Sequence, residues 1–181
     1  MDIIQHCLSL VPVPYLAPAF SIFKFIWSTV DQVQASKQQL EVLAQSLAQL
    51  LKALNGEYRA GRLLQARTST SLADLSRLLK EISAFVQREA SRGFLKLLFT
   101  KDQRIAQIEA YHRRITTSIE SFQISALLDI HAWQKKNVNA RTADQRALNE
   151  RLLHLETNQQ RLMEALTKQY YGNDGITPAT A

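Results

Sequence analysis

The chain has 181 residues, of which 46% are hydrophobic and 21% charged, and its mean hydropathy is −0.18. These values exclude a largely disordered chain and a polytopic membrane protein. Five glycines and four prolines are too few for the turns of a β-sandwich, a β-barrel or a doubly wound α/β fold, so the composition predicts an all-α fold. The basic excess behind the net charge of +6 lies in residues 61–115, which carry eleven basic and five acidic side chains, and we expect an anionic partner there.

The N-terminal stretch is apolar, and residues 3–23 contain no formally charged side chain. The stretch is long enough for a transmembrane helix, but three prolines interrupt it, and Asp2 stands where a signal peptide carries positive charge. Residues 1–16 are expected to form an apolar N-terminal segment, and two interpretations stay open for the uncharged stretch 3–23. The segment packs on its own helical bundle, or it is released to insert into lipid, together with Phe20 and Phe23.

Apolar residues recur every three or four positions along most of the chain, which is the pattern of amphipathic helices. The apolar seams run through residues 23–33, 40–54, 72–86, 105–133 and 148–166.

Helix boundaries follow from local signals. Four Ser or Thr residues are followed three positions later by Gln or Asp, so we predict capping boxes that begin helices at Ser36, Ser71, Thr100 and Thr142. Asn55-Gly56 predicts a helix end, and Asn137 with Asn139 predicts a turn. Residues 17–54 are then expected to form two helices, 17–34 and 37–54.

These elements predict an up-down four-helix bundle of residues 17–136, followed by an additional bracing helix at 142–169. The last residues, 172–181, are expected to be disordered.

A cluster of cations in the middle of the chain is the strongest candidate site. Its basic residues are Arg88, Arg92, Lys96, Lys101 and Arg104, and they flank the apolar residues Phe94, Leu95, Leu97, Leu98 and Phe99. Cations that adsorb to an anionic leaflet, beside apolar residues that insert, make a two-signal membrane anchor. Two alternatives stay open: the charges only solvate the end of the bundle, or the phenylalanines stack on the bases of a nucleic acid.

Several short motifs carry a resemblance to a known family. They are VPVP at 11–14, KQQ at 37–39, SRGFLKLLF at 91–99, SFQ at 121–123 and LLDI at 127–130. In this order they resemble the N-terminal four-helix-bundle domain of mixed-lineage kinase domain-like proteins, in the fungal variety, which is related to HeLo-type cell-death domains. The resemblance covers residues 11–134.

The resemblance implies a cytoplasmic cell-death or signalling domain that oligomerises, is recruited to the plasma membrane, binds anionic phospholipids through basic residues and permeabilises the membrane. It also implies that the helix after the bundle restrains it. No glycine-rich phosphate loop and no kinase catalytic motif occurs in the sequence. The kinase or nucleotide-binding receptor module that the resemblance implies is therefore missing, supplied by a partner, or located in a part of the protein beyond this sequence. The alternative function is a helical adaptor for protein partners with no membrane activity.

Other chemistry has little support in the sequence. Glu109 and His112 have the Glu-x-x-His spacing of di-iron bundles, but no second motif accompanies them, so no metal or other cofactor is expected. Cys7 is the only cysteine, which excludes an internal disulfide and favours a reducing compartment. Trp27 and Trp133 lie on or beside apolar seams and are expected in the core. No nucleophile motif or catalytic set is present, and we expect no enzymatic activity.

Overall fold

The computed structural model describes residues 3–33, 36–91, 100–124, 127–128 and 130–171. Within these ranges the chain is all-helical and contains no strand. Its helices are α1 (Ile3–Ser9), α2 (Ala17–Val30), α3 (Lys37–Arg59), α4 (Gln65–Ala90), α5 (Lys101–Ser121) and α6 (Ile130–Tyr171), with a 3-10 turn at Pro14–Leu16. The chain divides into two compact units, Met1–Asp144 and Gln145–Ala181.

The first unit is built around the predicted apolar seams. Helix α2 packs against α3 and α4, α5 packs against α3 and α4, and α1 packs against α3. The seam residues that meet at the centre, such as Phe23, Leu47, Leu79 and Ile115, are completely buried. Their removal from water is the main favourable term in the stability of this unit.

The predicted break between α2 and α3 is confirmed, but the predicted capping box is not what begins α3. Ser36 has a left-handed backbone with φ of 58°, and its side chain makes no capping hydrogen bond. The free backbone N–H groups of Gln38 and Gln39 donate instead to the carboxylate of Asp144, at 3.2 and 3.0 Å. A residue from α6 therefore caps α3, which a local pattern does not reveal.

The predicted helix end at Asn55-Gly56 is wrong, because α3 continues to Arg59. Among the glycines that the structure describes, Gly61 adopts the left-handed conformation, with φ of 69°. Asn55 is buried inside the helix and binds the N-terminal segment: its Oδ1 accepts the N–H of Val13 at 2.9 Å. Its polar side chain therefore serves a tertiary contact and not a turn.

Helix α4 also begins earlier than predicted, at Gln65 and not at Ser71. Thr68 lies in its first turn, where its Oγ1 donates to the carbonyl of Leu64 at 3.0 Å and contacts the hydroxyl of Tyr58 on α3. This contact between helices stabilises a turn that lacks a local capping side chain.

Helix α6 runs without a break, so the predicted turn at residues 137–139 and the predicted start at Thr142 are wrong. Asn137 is a buried residue within the helix, and Thr142 Oγ1 donates to the carbonyl of Val138 one turn earlier, at 3.1 Å. Neither Gly nor Pro occurs between 130 and 171, so no residue forces the helix to stop. The predicted disordered tail lies outside the described residues.

Helices long and apolar enough to cross a bilayer do not occur in the described part of the chain.

Candidate functional site

A basic stripe runs along the exposed face of α4. It consists of Arg77, Lys80 and Arg88, which are all exposed, and their spacing of three and eight residues puts them on one side of the helix. Arg77 forms an ion pair with Asp74 at 3.3 Å. The structure records no ion pair for Lys80 or Arg88 within its described residues, so these two charges are available to an anionic partner.

An arginine on the neighbouring helix adds to this surface. Arg114 of α5 binds Glu81 of α4 through two hydrogen bonds, the longer of them 3.1 Å. These bonds lower the pKa of Glu81 and keep its carboxylate charged. The two carboxylates of this surface, Asp74 and Glu81, are therefore occupied by arginines, which leaves a net positive face.

Sequence reasoning found only Arg88 of this stripe. Arg77 and Lys80 were not predicted because the basic cluster of residues 88–104 is contiguous along the chain, whereas the stripe follows one face of a helix. Their spacing of three and eight residues was the signal that would have found them.

The five predicted lipid-binding residues have different positions. Arg88 is exposed, and Lys101 is partly exposed at the first residue of α5. Arg92 and Lys96 lie outside the described residues.

Arg104 is buried, with only 4% of its surface exposed, so it does not belong to a surface patch in this structure. It forms an ion pair with buried Glu89 at 3.7 Å, and its Nε donates to Ser36 Oγ at 2.7 Å. The reason is helical periodicity: Arg104 shares the inner face of α5 with Ile108 and Ile115. The expectation that it contacts a lipid leaflet therefore conflicts with its position here.

The predicted membrane-inserting residues of α2 are also in the interior. Phe20 and Phe23 are 2% and 0% exposed, because they lie on the buried face of α2 with Ile26 and Val30. Either phenylalanine would reach lipid only after α2 left the bundle. The other predicted inserting residues, Phe94, Leu95, Leu98 and Phe99, lie outside the described residues.

The N-terminal segment is docked on α3, which is the first of the two interpretations left open. Ile4 and Cys7 of α1 are buried, and the carbonyl of Val11 accepts hydrogen bonds from Asn55 and Arg59. Burial raises the pKa of the Cys7 thiol to about 12. The thiol is therefore protonated and unreactive while α1 stays docked.

The Glu-x-x-His pair does not form a metal centre in the described part of the chain, where no three potential ligands converge. Glu109 binds Arg141 at 3.0 Å, and burial lowers the pKa of His112 to about 4. His112 lines a groove of about 220 Å³ between α5 and α6, together with Asn137 and Trp133. Trp133 is buried and donates its indole N–H to Gln49, as expected of a core residue.

Comparisons with protein-family models, with curated proteins and with solved structures find no match for this chain.

Proposed function

We propose that the chain is a membrane-targeting signalling or cell-death domain, which binds anionic phospholipid through its basic face, oligomerises and permeabilises the bilayer. In this proposal residues 17–136 form an up-down four-helix bundle and residues 142–169 of α6 are its bracing helix. The protein would work in the cytoplasm and be recruited to the plasma membrane on activation. The observation that carries the proposal is the basic stripe of α4, where Lys80 and Arg88 have no acidic partner among the described residues.

The electrostatic attraction alone is too weak to anchor a single copy stably to the membrane. Each cation near an anionic leaflet contributes about 1 kcal/mol, so Lys80 and Arg88 together supply about 2 kcal/mol. Stable anchoring needs a second signal. Insertion of the apolar N-terminal segment or assembly of several copies would supply it.

Permeabilisation requires a change in the first unit, since Ile4 and Cys7 of α1 and Phe20 and Phe23 of α2 are buried. We propose that α1 leaves its position on α3 at the membrane. Cys7 is a natural probe of that step, because its thiol is buried while α1 is docked.

The test compares vesicles of phosphatidylcholine with vesicles that also contain phosphatidylserine, by co-sedimentation and by release of an entrapped dye. We expect binding and release only with the anionic vesicles. We also expect binding to fall when Lys80→Glu and Arg88→Glu are combined. Arg104 stays unchanged in this variant, because replacing one partner of a buried ion pair destabilises the fold.

The matched control is Lys135→Glu with Lys136→Glu, which makes the same change in net charge at two exposed residues of α6. Equal binding to both vesicle types, or equal loss in the control and in the α4 variant, would contradict the proposal. Labelling of Cys7 by a maleimide should rise on anionic vesicles; unchanged labelling during dye release would contradict the release of α1.

An adaptor without membrane activity is the second candidate, and the exposed leucines of the second unit favour it. Leu153, Leu155 and Leu162 are 63%, 50% and 63% exposed, as in a helix that binds another protein chain. If the chain binds neither vesicle type and forms a stable complex with a protein partner, the adaptor function is supported.

A further inference from the structure

The part of α6 in the second unit carries an apolar seam that is open to solvent. Its leucines are Leu148, Leu152, Leu155, Leu162 and Leu166, spaced four, three, seven and four residues apart. Four of the five are 39–63% exposed, and Leu148 is half-buried. In a heptad written abcdefg, Leu148, Leu155 and Leu162 fall at d positions, and Leu152 and Leu166 fall at a positions. Leucines at a and d are the pattern of a coiled-coil seam. We call these residues the leucine seam.

One position of the seam is polar. Gln159 stands at the a position between Leu155 and Leu162. A single polar residue at an a position lowers the stability of a coiled coil but fixes its register. The polar side chains of the two helices bind each other best when they lie directly opposite one another. This favours a partner helix with the same residue at the same a position, and a second copy of this chain is such a partner.

The charges beside the seam fit a parallel arrangement. Arg151 occupies a g position and Glu156 the following e position, five residues later. In a parallel, in-register pair the g residue of one chain faces this e residue of the other, so the pair contains two Arg151–Glu156 contacts. In an antiparallel pair g faces g and e faces e, and no opposite charges meet at these positions.

We propose that the leucine seam pairs with the same residues of a second copy, in a parallel and in-register coiled coil. The helix is already formed in the single chain, which reduces the conformational entropy lost on pairing. A seam of fewer than three heptads gives modest affinity, so the extent of pairing depends on local concentration.

A lipid surface fits the leucine seam less well than a second copy. Helices that lie in the membrane interface carry mostly Lys and Arg on their polar face. Residues 145–167 contain three arginines and three glutamates, with no net charge. Their alternation of sign matches the flanks of a coiled coil and not an anionic leaflet.

This inference rests on the proposed function for its biological role, since it names the partner in the oligomerisation step. Adsorption through the α4 stripe would concentrate the chain at the membrane and drive pairing of the seam. Each paired copy would in turn add its cations to the membrane contact.

The test measures the mass of the full chain by light scattering across a range of concentrations, without lipid. We expect the mass to rise with concentration and Leu162→Glu to raise the dissociation constant by at least about tenfold. Leu153→Glu is the matched control, because Leu153 is equally exposed, at 63%, but lies off the seam at a b position. A monomer at every concentration, or equal effects of the two variants, would overturn the proposal.

Orientation is tested by charge and by cross-linking. Arg151→Glu should weaken pairing, and adding Glu156→Arg to it should restore the wild-type constant. In a Cys7→Ala background, Leu152→Cys should form a disulfide between copies on mild oxidation, because residue 152 faces itself only in the parallel register. No rescue and no disulfide, with pairing intact, would overturn the parallel arrangement.

Vesicle binding separates this inference from the proposed function. If the chain pairs in solution but does not bind anionic vesicles, the coiled-coil inference holds and the proposed membrane function is contradicted. If the chain binds anionic vesicles and stays monomeric on them, the coiled-coil inference is contradicted. Formation of a complex only with a different protein would also overturn the pairing of like copies.

Discussion

At the scale of single residues, Asp144 determines how α3 begins. Its carboxylate accepts the N–H groups of Gln38 and Gln39, which are among the N–H groups that a helix leaves without partners in its first turn. Burial raises the pKa of Asp144, while these two hydrogen bonds and nearby Arg104 oppose that rise. The same region contains Ser36, which binds Arg104 and therefore does not act as the cap.

Replacing Asp144→Ala should destabilise the first unit by about 1 kcal/mol, because two N–H groups of α3 lose their acceptor. The free energy of unfolding from urea titrations measures this loss. Glu150→Ala is the control, because Glu150 is an exposed residue of the same helix in the second unit and should change stability little. Equal effects of the two substitutions would show that the cap contributes nothing.

His112 should make stability depend on pH. Burial lowers its pKa from 6.5 to about 4, so the folded protein holds the neutral imidazole, whereas the unfolded chain takes up a proton below 6.5. The unfolded state then binds more protons, and the free energy of unfolding falls as the pH drops from 6.5 to 4, by roughly 3 kcal/mol.

The measurement is a series of urea titrations between these pH values for the wild-type chain and for His112→Phe. The carboxylates titrate in both proteins, so the difference between the two curves isolates the histidine. We expect the wild-type curve to fall more steeply; parallel curves would contradict a half-buried His112 that stays neutral in the folded protein.

At the scale of elements, the N-terminal segment is held on α3 by a few specific contacts. Asn55 and Arg59 bind the backbone around Val11, while Ile4 and Cys7 supply the buried apolar surface of α1. A seven-residue helix such as α1 is not stable alone in water, so its structure depends on this docking.

Asn55→Ala should therefore loosen the segment without unfolding the bundle. We expect the rate of Cys7 labelling by a maleimide to rise in the native protein, as α1 opens more often and exposes the thiol. Gln45→Ala, at a half-buried position of α3, is the control and should leave the rate unchanged. Identical rates in wild type and Asn55→Ala would show that this asparagine does not hold the segment.

At the scale of the whole molecule, the apolar core ends before the second unit begins. Every buried hydrophobic residue in the described part of the chain lies at or before Ala140. From Arg146 to Thr167, all but one of the described side chains are exposed. The buried hydrophobic residues of the described chain therefore belong to the first unit.

A chain that ends after Glu150 should thus keep the melting temperature of the first unit, within a few degrees, by circular dichroism or calorimetry. It should also stay monomeric at concentrations where the full chain associates, because it lacks four of the five seam leucines. Loss of cooperative unfolding would contradict the separation of core and seam.

Much of the fold was predictable because it follows from periodicity. The apolar seams, the all-α class and the break before α3 depend on side-chain spacing along a helix, which the sequence contains directly. The leucine seam of α6 was visible in the same way. Its exposure was not, since spacing alone does not reveal whether a face is covered.

Helix ends and charged residues were less predictable, because tertiary partners decide them. Asn55 and Asn137 resemble stop signals but lie buried inside helices, and Arg104 belongs by sequence to a basic cluster but pairs with Glu89 in the interior. On the exposed face of α4, Lys80 and Arg88 remain available because Arg77 and Arg114 occupy the nearby carboxylates of Asp74 and Glu81.

The sequence by itself determined a helical chain with a local excess of positive charge, because helix class and net charge are sums over residues. Only the tertiary structure decided which cations face solvent, that Asp144 caps α3, and that Phe20 and Phe23 lie in the core. These features depend on contacts between residues far apart in the chain, and such contacts form only when the helices pack.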